Sequence, residues 1–225
     1  MPHVLITGAN RGIGLALAAF YTKQGWTVTG TARQPEQATA LKELAGAVHQ
    51  LDVRDREAIS RLATQIEAPI DILISNAGVS GPARERQVFG ALDYEGWMDT
   101  LLVNTIGSVA VCEAFTPHVA ASNLKKMAVI TSRMGSIDDT SCDVIAYRTS
   151  KTALNMAMVA ASKPLKERGI AVGVLHPGWV DTRMGGGNAP LSTEKSAQGL
   201  AEQIDGLAPT EKAPFLAYDG RVLPW

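Results

Sequence analysis

Apolar residues in this chain fall into short blocks that alternate with longer stretches at helical spacing. Val4-Leu5-Ile6-Thr7 is one such block, and Leu15-Ala16-Leu17-Ala18-Ala19-Phe20-Tyr21 is the periodic stretch behind it. A short apolar run with polar punctuation reads as a strand buried on both faces, and the periodic stretch as a helix. That helix is predicted to end near Gly25, a suitable C-cap. Trp26 to Ala32 predicts a second strand, residues 35–45 a helix with Leu41 and Leu44 inward, Ala47 to Leu51 a third strand and residues 55–67 a third helix. Ile70 to Ser75 predicts a fourth strand, residues 79–93 a long loop rich in glycine, proline and charge, and residues 94–121 a helix. Val129-Ile130-Thr131 closes a fifth strand, residues 133–144 are polar and loop-like, and a long helix covers residues 145–168, with Pro164 bending its last turns. Ile170 to Leu175 predicts a sixth strand, residues 193–205 a helix and Pro214 to Tyr218 a last strand. Residues 181–191 hold three consecutive glycines and a proline and are expected to be mobile.

Strands that alternate with helices predict a parallel sheet covered on both faces. With right-handed crossovers this is an α/β, Rossmann-type doubly wound parallel sheet, and 225 residues fit it as a single domain. Ligands of such sheets bind outside the carboxyl ends of the strands. The residues at those ends are Gly8 to Gly14, Ala32-Arg33, Asp52-Val53, Asn76-Ala77-Gly78, Ser132 and Pro177-Gly178, all expected to face one crevice.

Composition narrows the partners. Net charge is −1, which gives no argument for nucleic acid or an anionic membrane surface. Cys112 and Cys142 make no disulfide framework and no CxxC pair, and the scattered His3, His49, His118 and His176 have no metal-ligand spacing, so no metal is expected. No room for a signal peptide is read before His3, and no apolar run approaches the ~20 residues of a membrane span. The expectation is a cytoplasmic protein of small-molecule chemistry.

Gly8-Ala9-Asn10-Arg11-Gly12-Ile13-Gly14 lies between the first strand and its helix. Glycines there allow a tight turn and close backbone approach, and the helix N-terminus offers free N–H groups to a pyrophosphate. The turn therefore reads as dinucleotide-binding, with a plain tight turn as the competing reading. NAD binders usually place an acid at the end of the second strand. Here that end is Thr29-Gly30-Thr31-Ala32-Arg33, without one. Arg33 and Arg11 could clamp a 2′-phosphate, or both could be solvated surface arginines. NADP(H) is favoured, with NAD(H) still possible. Asp52 comes too late for the ribose role. It could accept from an adenine amino group, or cap the next helix, as could Asp55.

Tyr147 and Lys151 stand one helical turn apart. A phenol is a weak acid, and an ammonium beside it favours the phenolate, so the pair can trade a proton with an alcohol or carbonyl oxygen. Taken together, Thr7 to Gly14, Asn76-Ala77-Gly78, Asn104, Thr131-Ser132, Tyr147-x-x-x-Lys151 and Pro177-Gly178 resemble the short-chain dehydrogenase/reductase family, in the family's order and over essentially the whole chain. The Tyr147-Arg148-Thr149-Ser150-Lys151 run and the ending Tyr218-Asp219-Gly220 to Pro224-Trp225 resemble its C-factor and sniffer-type carbonyl reductase branch.

The resemblance implies a set of roles. Tyr147 is the acid in reduction and the base in oxidation; Lys151 lowers its pKa and holds the nicotinamide ribose. Ser132 bonds the substrate oxygen, with Ser136 a competing hydroxyl. Asn104 helps hold a water that links Lys151 to solvent, or simply packs. Asn76, Ala77 and Gly78 lie beside the cofactor, Pro177 and Gly178 shape the nicotinamide pocket, and Val180 and Thr182 contact carboxamide and phosphates. Met134 and Cys142 either line the substrate pocket or are ordinary loop residues. The Ala- and Met-rich face Ala153 to Ala161 reads as core or subunit interface, and the family implies a homo-oligomer, a dimer or tetramer. The implied activity is NADP(H)-dependent interconversion of a carbonyl and an alcohol. Two other classes compete: a nucleotide-binding regulatory or signalling protein with little turnover, and a sugar-nucleotide epimerase or dehydratase, which would need more chain after Gly178. Residues 79–93, 133–146 and 181–192 are expected to form the substrate loops.

Overall fold

A computed structural model describes residues 1–139 and 143–225. Seven parallel strands form one sheet in the order β3-β2-β1-β4-β5-β6-β7. They are β1 (His3–Ile6), β2 (Thr27–Ala32), β3 (Ala47–Gln50), β4 (Ile72–Ser75), β5 (Lys126–Ile130), β6 (Ala171–His176) and β7 (Phe215–Ala217). The order reverses between β1 and β4, which pair Val4 with Ile72 and Ile6 with Ile74. A crevice opens at such a reversal, at the carboxyl ends of the strands. The doubly wound architecture expected from the alternating pattern is the observed one.

The central strands β1, β4 and β5 are apolar on both sides because each side has a helical cover. Val4, Ile6, Ile72 and Ile74 pack with Leu17 and Ala18 of α1 (Gly12–Lys23) and Leu200 and Ile204 of α7 (Thr193–Asp205). Leu5, Leu73, Met127 and Val129 pack on the opposite face, with Ile59 of α3 (Arg56–Gln65), Phe115 of α5 (Ser108–Ala120) and Leu154 and Met158 of α6 (Ile145–Glu167). Burying one such side chain contributes about 1.5–3 kcal/mol, so these two layers are what hold the strand ends in register.

Two elements differ from the expected pattern. The helix expected over residues 35–45 is a 3₁₀ turn, Pro35–Gln37, followed by the short α2, Thr39–Leu44. Ala38 between them has ψ 52°, outside the helical range, and only Leu41 is fully buried while Leu44 is half-buried. The helix expected over 94–121 is α4 (Tyr94–Leu101), a π-helical segment Leu102–Gly107, and α5. A π-helical turn inserts one extra residue, and here it lies flat on the loop after β3. A Cβ on Gly107 would stand 2.4 Å from the Val53 carbonyl oxygen, so only glycine permits that approach. This continuous helix is also long and apolar enough, by length and composition, to cross a membrane, contrary to the expectation from apolar runs. It is a core helix: Val103, Val111, Phe115 and Val119 are buried against the sheet. The Ala- and Met-rich stretch of α6 divides, with Leu154 and Met158 buried and Met156 68% exposed on the outer face.

Candidate active site

The ends of β1 and β4 are stitched together. Thr7 Oγ1 accepts from the Asn76 and Ala77 N–H groups at 3.0 and 3.1 Å, and Asn76 Nδ2 donates to the Thr7 and Gly8 carbonyls at 2.9 and 3.1 Å. Gly8 turns the chain at φ +63°, with its missing Cβ 3.0 Å from Ala77 Cα. At Gly14 a Cβ would lie 2.5 Å from both Asn76 Nδ2 and the Gly8 carbonyl oxygen, so α1 can start here only with glycine. Arg11 precedes α1 in extended conformation and makes no side-chain cap bond to its first turn. Asn10 and Arg11 are exposed and Ile13 is half-buried. Gly12, at φ +54°, faces Thr182, whose Cγ2 is 3.3 Å from where a Cβ would be. The glycine turn, the Asn76 corner and Thr182 therefore border one cradle at the positive end of α1. A diphosphate fits it, since the turn keeps its backbone open and the N-cap Arg11 makes no side-chain bond to the helix end.

The β2 and β3 ends lie beside it. Arg33 is exposed after β2. Asp52 is tied to Arg54, with Arg54 Nη2 at 2.6 Å, and Arg54 reaches on to Asp99. The Arg54 bond, with a further contribution from Arg33, holds the Asp52 carboxyl below the usual carboxylate range. Asp55, not Asp52, caps α3, accepting from the Ala58 N–H at 2.9 Å. That removes the capping alternative for Asp52 and leaves its carboxylate paired with Arg54. Val53 is buried.

Tyr147 and Lys151 share one face of α6. Lys151 is 5% exposed, and its ammonium donates to the Ile130 carbonyl at 3.0 Å. It stands 5.9 Å from the centroid of the Tyr147 ring. Burial pushes the Lys151 pKa down to about 8. Burial raises that of Tyr147, and the Ser132 hydroxyl opposes the rise. The net shift of the phenol is therefore upward, with burial its largest cause. The same burial that raises the phenol disfavours the ammonium beside it.

Ser132 is buried at the end of β5 and opens a 3₁₀ turn, Arg133–Gly135, accepting from the Met134 N–H at 3.1 Å. The competing Ser136 hydroxyl is spent elsewhere: it donates to the Trp225 carbonyl at 3.2 Å and accepts from the Asp139 N–H at 3.3 Å. Asn155 was not foreseen as a site residue. It accepts from Thr131 Oγ1 at 2.6 Å and donates to the Gly135 carbonyl at 3.3 Å, locking the Ser132 turn to α6. A polar residue one turn after Lys151, on the face of α6 that carries the Tyr147–Lys151 pair, was the signal for it.

Asn104 sits in the π-helical segment, fully buried. Its side chain accepts from the Val79 N–H at 2.8 Å and donates to the Val79 carbonyl at 2.8 Å and to Ser150 Oγ at 2.9 Å. A Cβ on Gly78 would be 3.2 Å from Asn104 Oδ1 and 3.5 Å from Lys151 Nζ, so both polar groups face that glycine. Pro177 and Gly178 close the far side. The Pro177 carbonyl accepts from Ser196 Oγ at 2.7 Å, and Gly178, at φ +89°, leaves no room for a Cβ beside Leu191 and Tyr218. Val180 is buried and bridges to Leu191, which pins both ends of the 181–191 segment. Met134 is half-buried and gives its carbonyl to Arg148; Cys142 lies outside the described residues. Among the described residues no cluster of His, Cys, Asp or Glu could hold a metal.

Residues 2–190 match the family described as short chain dehydrogenase. C-signal of Myxococcus xanthus is 41% identical over 158 residues, which span 70% of this chain and 93% of that protein. Among solved structures, the carbonyl reductase Sniffer of D. melanogaster is similar at a TM-score of 0.89 and 33% identity, covering 100% of each chain. A carbonyl reductase from Pseudomonas aeruginosa PAO1, solved in complex with NADP, is similar at a TM-score of 0.84 and 32% identity, again over 100% of each chain.

Proposed function

Since this chain belongs to the short-chain dehydrogenase family, we propose that it is an NADP(H)-dependent oxidoreductase that interconverts a carbonyl and an alcohol, of the carbonyl reductase type. The observation that carries the proposal is the convergence of the Ser132 hydroxyl, the Tyr147 phenol and the Lys151 ammonium at the end of β5. A cradle that only Gly8, Gly12 and Gly14 allow opens beside them. When bound, the nicotinamide cofactor supplies or accepts the hydride.

Gly8, Asn10, Arg11, Gly12, Ile13 and Gly14 hold the diphosphate, with Arg11 and Arg33 on the 2′-phosphate and Asp52 and Val53 beside the adenine. Asn76, Ala77 and Gly78 lie along the cofactor, and Tyr147 and Lys151 hold the nicotinamide ribose. Pro177, Gly178, Val180 and Thr182 border the nicotinamide and its phosphates. Ser132 donates to the substrate oxygen and stabilises the charge that develops there. Tyr147 delivers a proton to that oxygen in reduction, and a phenol raised by burial is protonated at neutral pH, as an acid must be. Lys151 opposes the charge left on the phenolate. Its proton is replaced through a water held near Asn104, whose amide oxygen faces the same glycine as the ammonium. The substrate is a small carbonyl or alcohol, chosen by residues 79–93, 133–146 and 181–192. Outer-face residues of α6 such as Met156 form a homo-oligomer interface, which light scattering of the purified chain tests.

The cofactor preference has its own test. Losing a charge-assisted bond to the 2′-phosphate costs about 1.5–3 kcal/mol. Arg33→Ala is therefore expected to raise the Michaelis constant for NADPH by about ten- to a hundredfold and to leave that for NADH within about twofold. Equal effects on the two cofactors would refute the clamp.

A signalling reading is favoured by one finding, the relative named C-signal. It predicts NADPH binding without consumption across a panel of carbonyl compounds, whereas the enzyme reading predicts consumption with at least one of them.

A further inference from the structure

The helix that carries Tyr147 begins without a cap of its own. Val144 occupies the N-cap position in left-handed conformation, at φ 48° and ψ 50°, and makes no side-chain cap bond. A β-branched residue is strained there, and apolar Val cannot satisfy the free N–H groups of the first turn. Those groups are satisfied from the β4–α4 loop instead. The Ile145 N–H donates to the Gln87 carbonyl at 2.8 Å, and the Tyr147 N–H donates to Gln87 Oε1 at 3.0 Å.

Gln87 is held firmly for this task. It is 2% exposed, and its Nε2 donates to the Ser80 and Pro82 carbonyls at 3.0 and 2.7 Å. Gly81, at φ +81°, lets the loop close over it; a Cβ there would stand 2.9 Å from Thr100 Oγ1 and 3.3 Å from the Gln87 amide. An Arg84–Asp143 ion pair joins the same loop to the residues just before α6. Both donors of this buried amide are thus spent on its own loop, and its oxygen accepts from the backbone of the tyrosine.

We infer that Gln87 is a positioning residue for Tyr147, fixing the backbone from which the phenol reaches the substrate oxygen, an inference that rests on the oxidoreductase reading above. The bond is made by the tyrosine's own N–H. Its loss leaves the first turn of α6 held to the β4–α4 loop only by the Ile145 N–H bond to the Gln87 carbonyl, and a small rotation at the Tyr147 Cα is magnified at the far end of the ring. The effect falls on the proton-transfer geometry and leaves the glycine turn untouched.

Two substitutions test it, alongside wild type and Tyr147→Phe. Gln87→Met keeps the length of the side chain and removes the amide. It is expected to lower kcat by about ten- to a hundredfold, the cost of displacing a catalytic group by about an ångström, with the Michaelis constant for NADPH within about twofold. Gln87→Glu keeps the acceptor for the Tyr147 N–H but sets a carboxylate against the Ser80 and Pro82 carbonyls. Burial and those oxygens push its pKa up, and protonation restores one donor. Its kcat relative to wild type is therefore expected to climb as pH is lowered from about 8 to about 6.

A working wild type whose kcat is unmoved by Gln87→Met overturns the inference and leaves the reading intact. So does a parallel loss of kcat and NADPH affinity, which marks general collapse of the site. If Gln87→Met does not fold, Gln87→Glu carries the test alone: recovery at low pH supports the inference, and a pH-independent ratio overturns it. A wild type that consumes no NADPH with any carbonyl defeats the oxidoreductase reading, and the inference with it.

Discussion

Replacing Tyr147 with Phe is expected to lower kcat by about a thousandfold while NADPH still binds within about twofold of wild type. The ring packs as before, so nothing in the fold is asked to change. Only the hydroxyl goes, and with it the proton that must reach the carbonyl oxygen as hydride arrives at carbon. A positioned acid contributes roughly a hundred- to ten-thousandfold, and here no second acid takes over: the other nearby hydroxyl, Ser132, has a far higher pKa than a phenol and serves as a hydrogen-bond donor. Steady-state kinetics with a fluorescence titration of NADPH separate the two quantities. A variant that keeps more than about a tenth of the wild-type kcat would remove Tyr147 from the chemistry.

Lys151→Met is expected to cost about a hundredfold in kcat. An ammonium 5.9 Å from the ring centroid, at an effective dielectric constant near 20, is worth about 3 kcal/mol to a phenolate forming there, and about 1.4 kcal/mol is a factor of ten. The pH profile carries the sign. Burial brings the Lys151 pKa down to about 8, so the ammonium is present below that value and lost above it. Carbonyl reduction by wild type should therefore decline as pH rises through about 8, and the Lys151→Met profile should lack that limb. The unfolded chain binds a proton on this lysine up to its higher ordinary pKa, so fold stability rises with pH from about 8 up to that value. A wild-type profile flat from about pH 7 to about 9 would contradict the role given to the lysine.

The strands and the terminal helix were legible because burial imposes them. The helix predicted over 193–205 is Thr193–Asp205, and the seven apolar blocks are the seven strands. Each must be covered on two sides, so the pattern leaves little choice. The Tyr147–Lys151 spacing was legible for a local reason, since one helical turn makes the pair. The π-helical segment was not, because inserting one residue into an apolar helix leaves its periodicity nearly unchanged. Gln87 was invisible because its bond to Tyr147 spans 60 residues and its neighbours read as polar loop. Asn155 was folded into a face expected to be core or interface; it is buried there, but as the polar link between the Ser132 turn and α6. The raised pKa of the phenol was missed for the same kind of reason. Sequence spacing showed the ammonium, whereas the burial that raises the phenol is a property of the assembled site.

The most direct test of hydride transfer at this site is isotopic. NADPH carrying deuterium on the transferred face of C4 is incubated with the chain and a carbonyl compound that it consumes, and the alcohol is examined by mass spectrometry. The account predicts one deuterium on the carbinol carbon for each NADPH oxidised, formed about a thousandfold more slowly in Tyr147→Phe. Oxidation of NADPH without deuterium in any alcohol, or tight NADPH binding with no oxidation across the whole carbonyl panel, would contradict it.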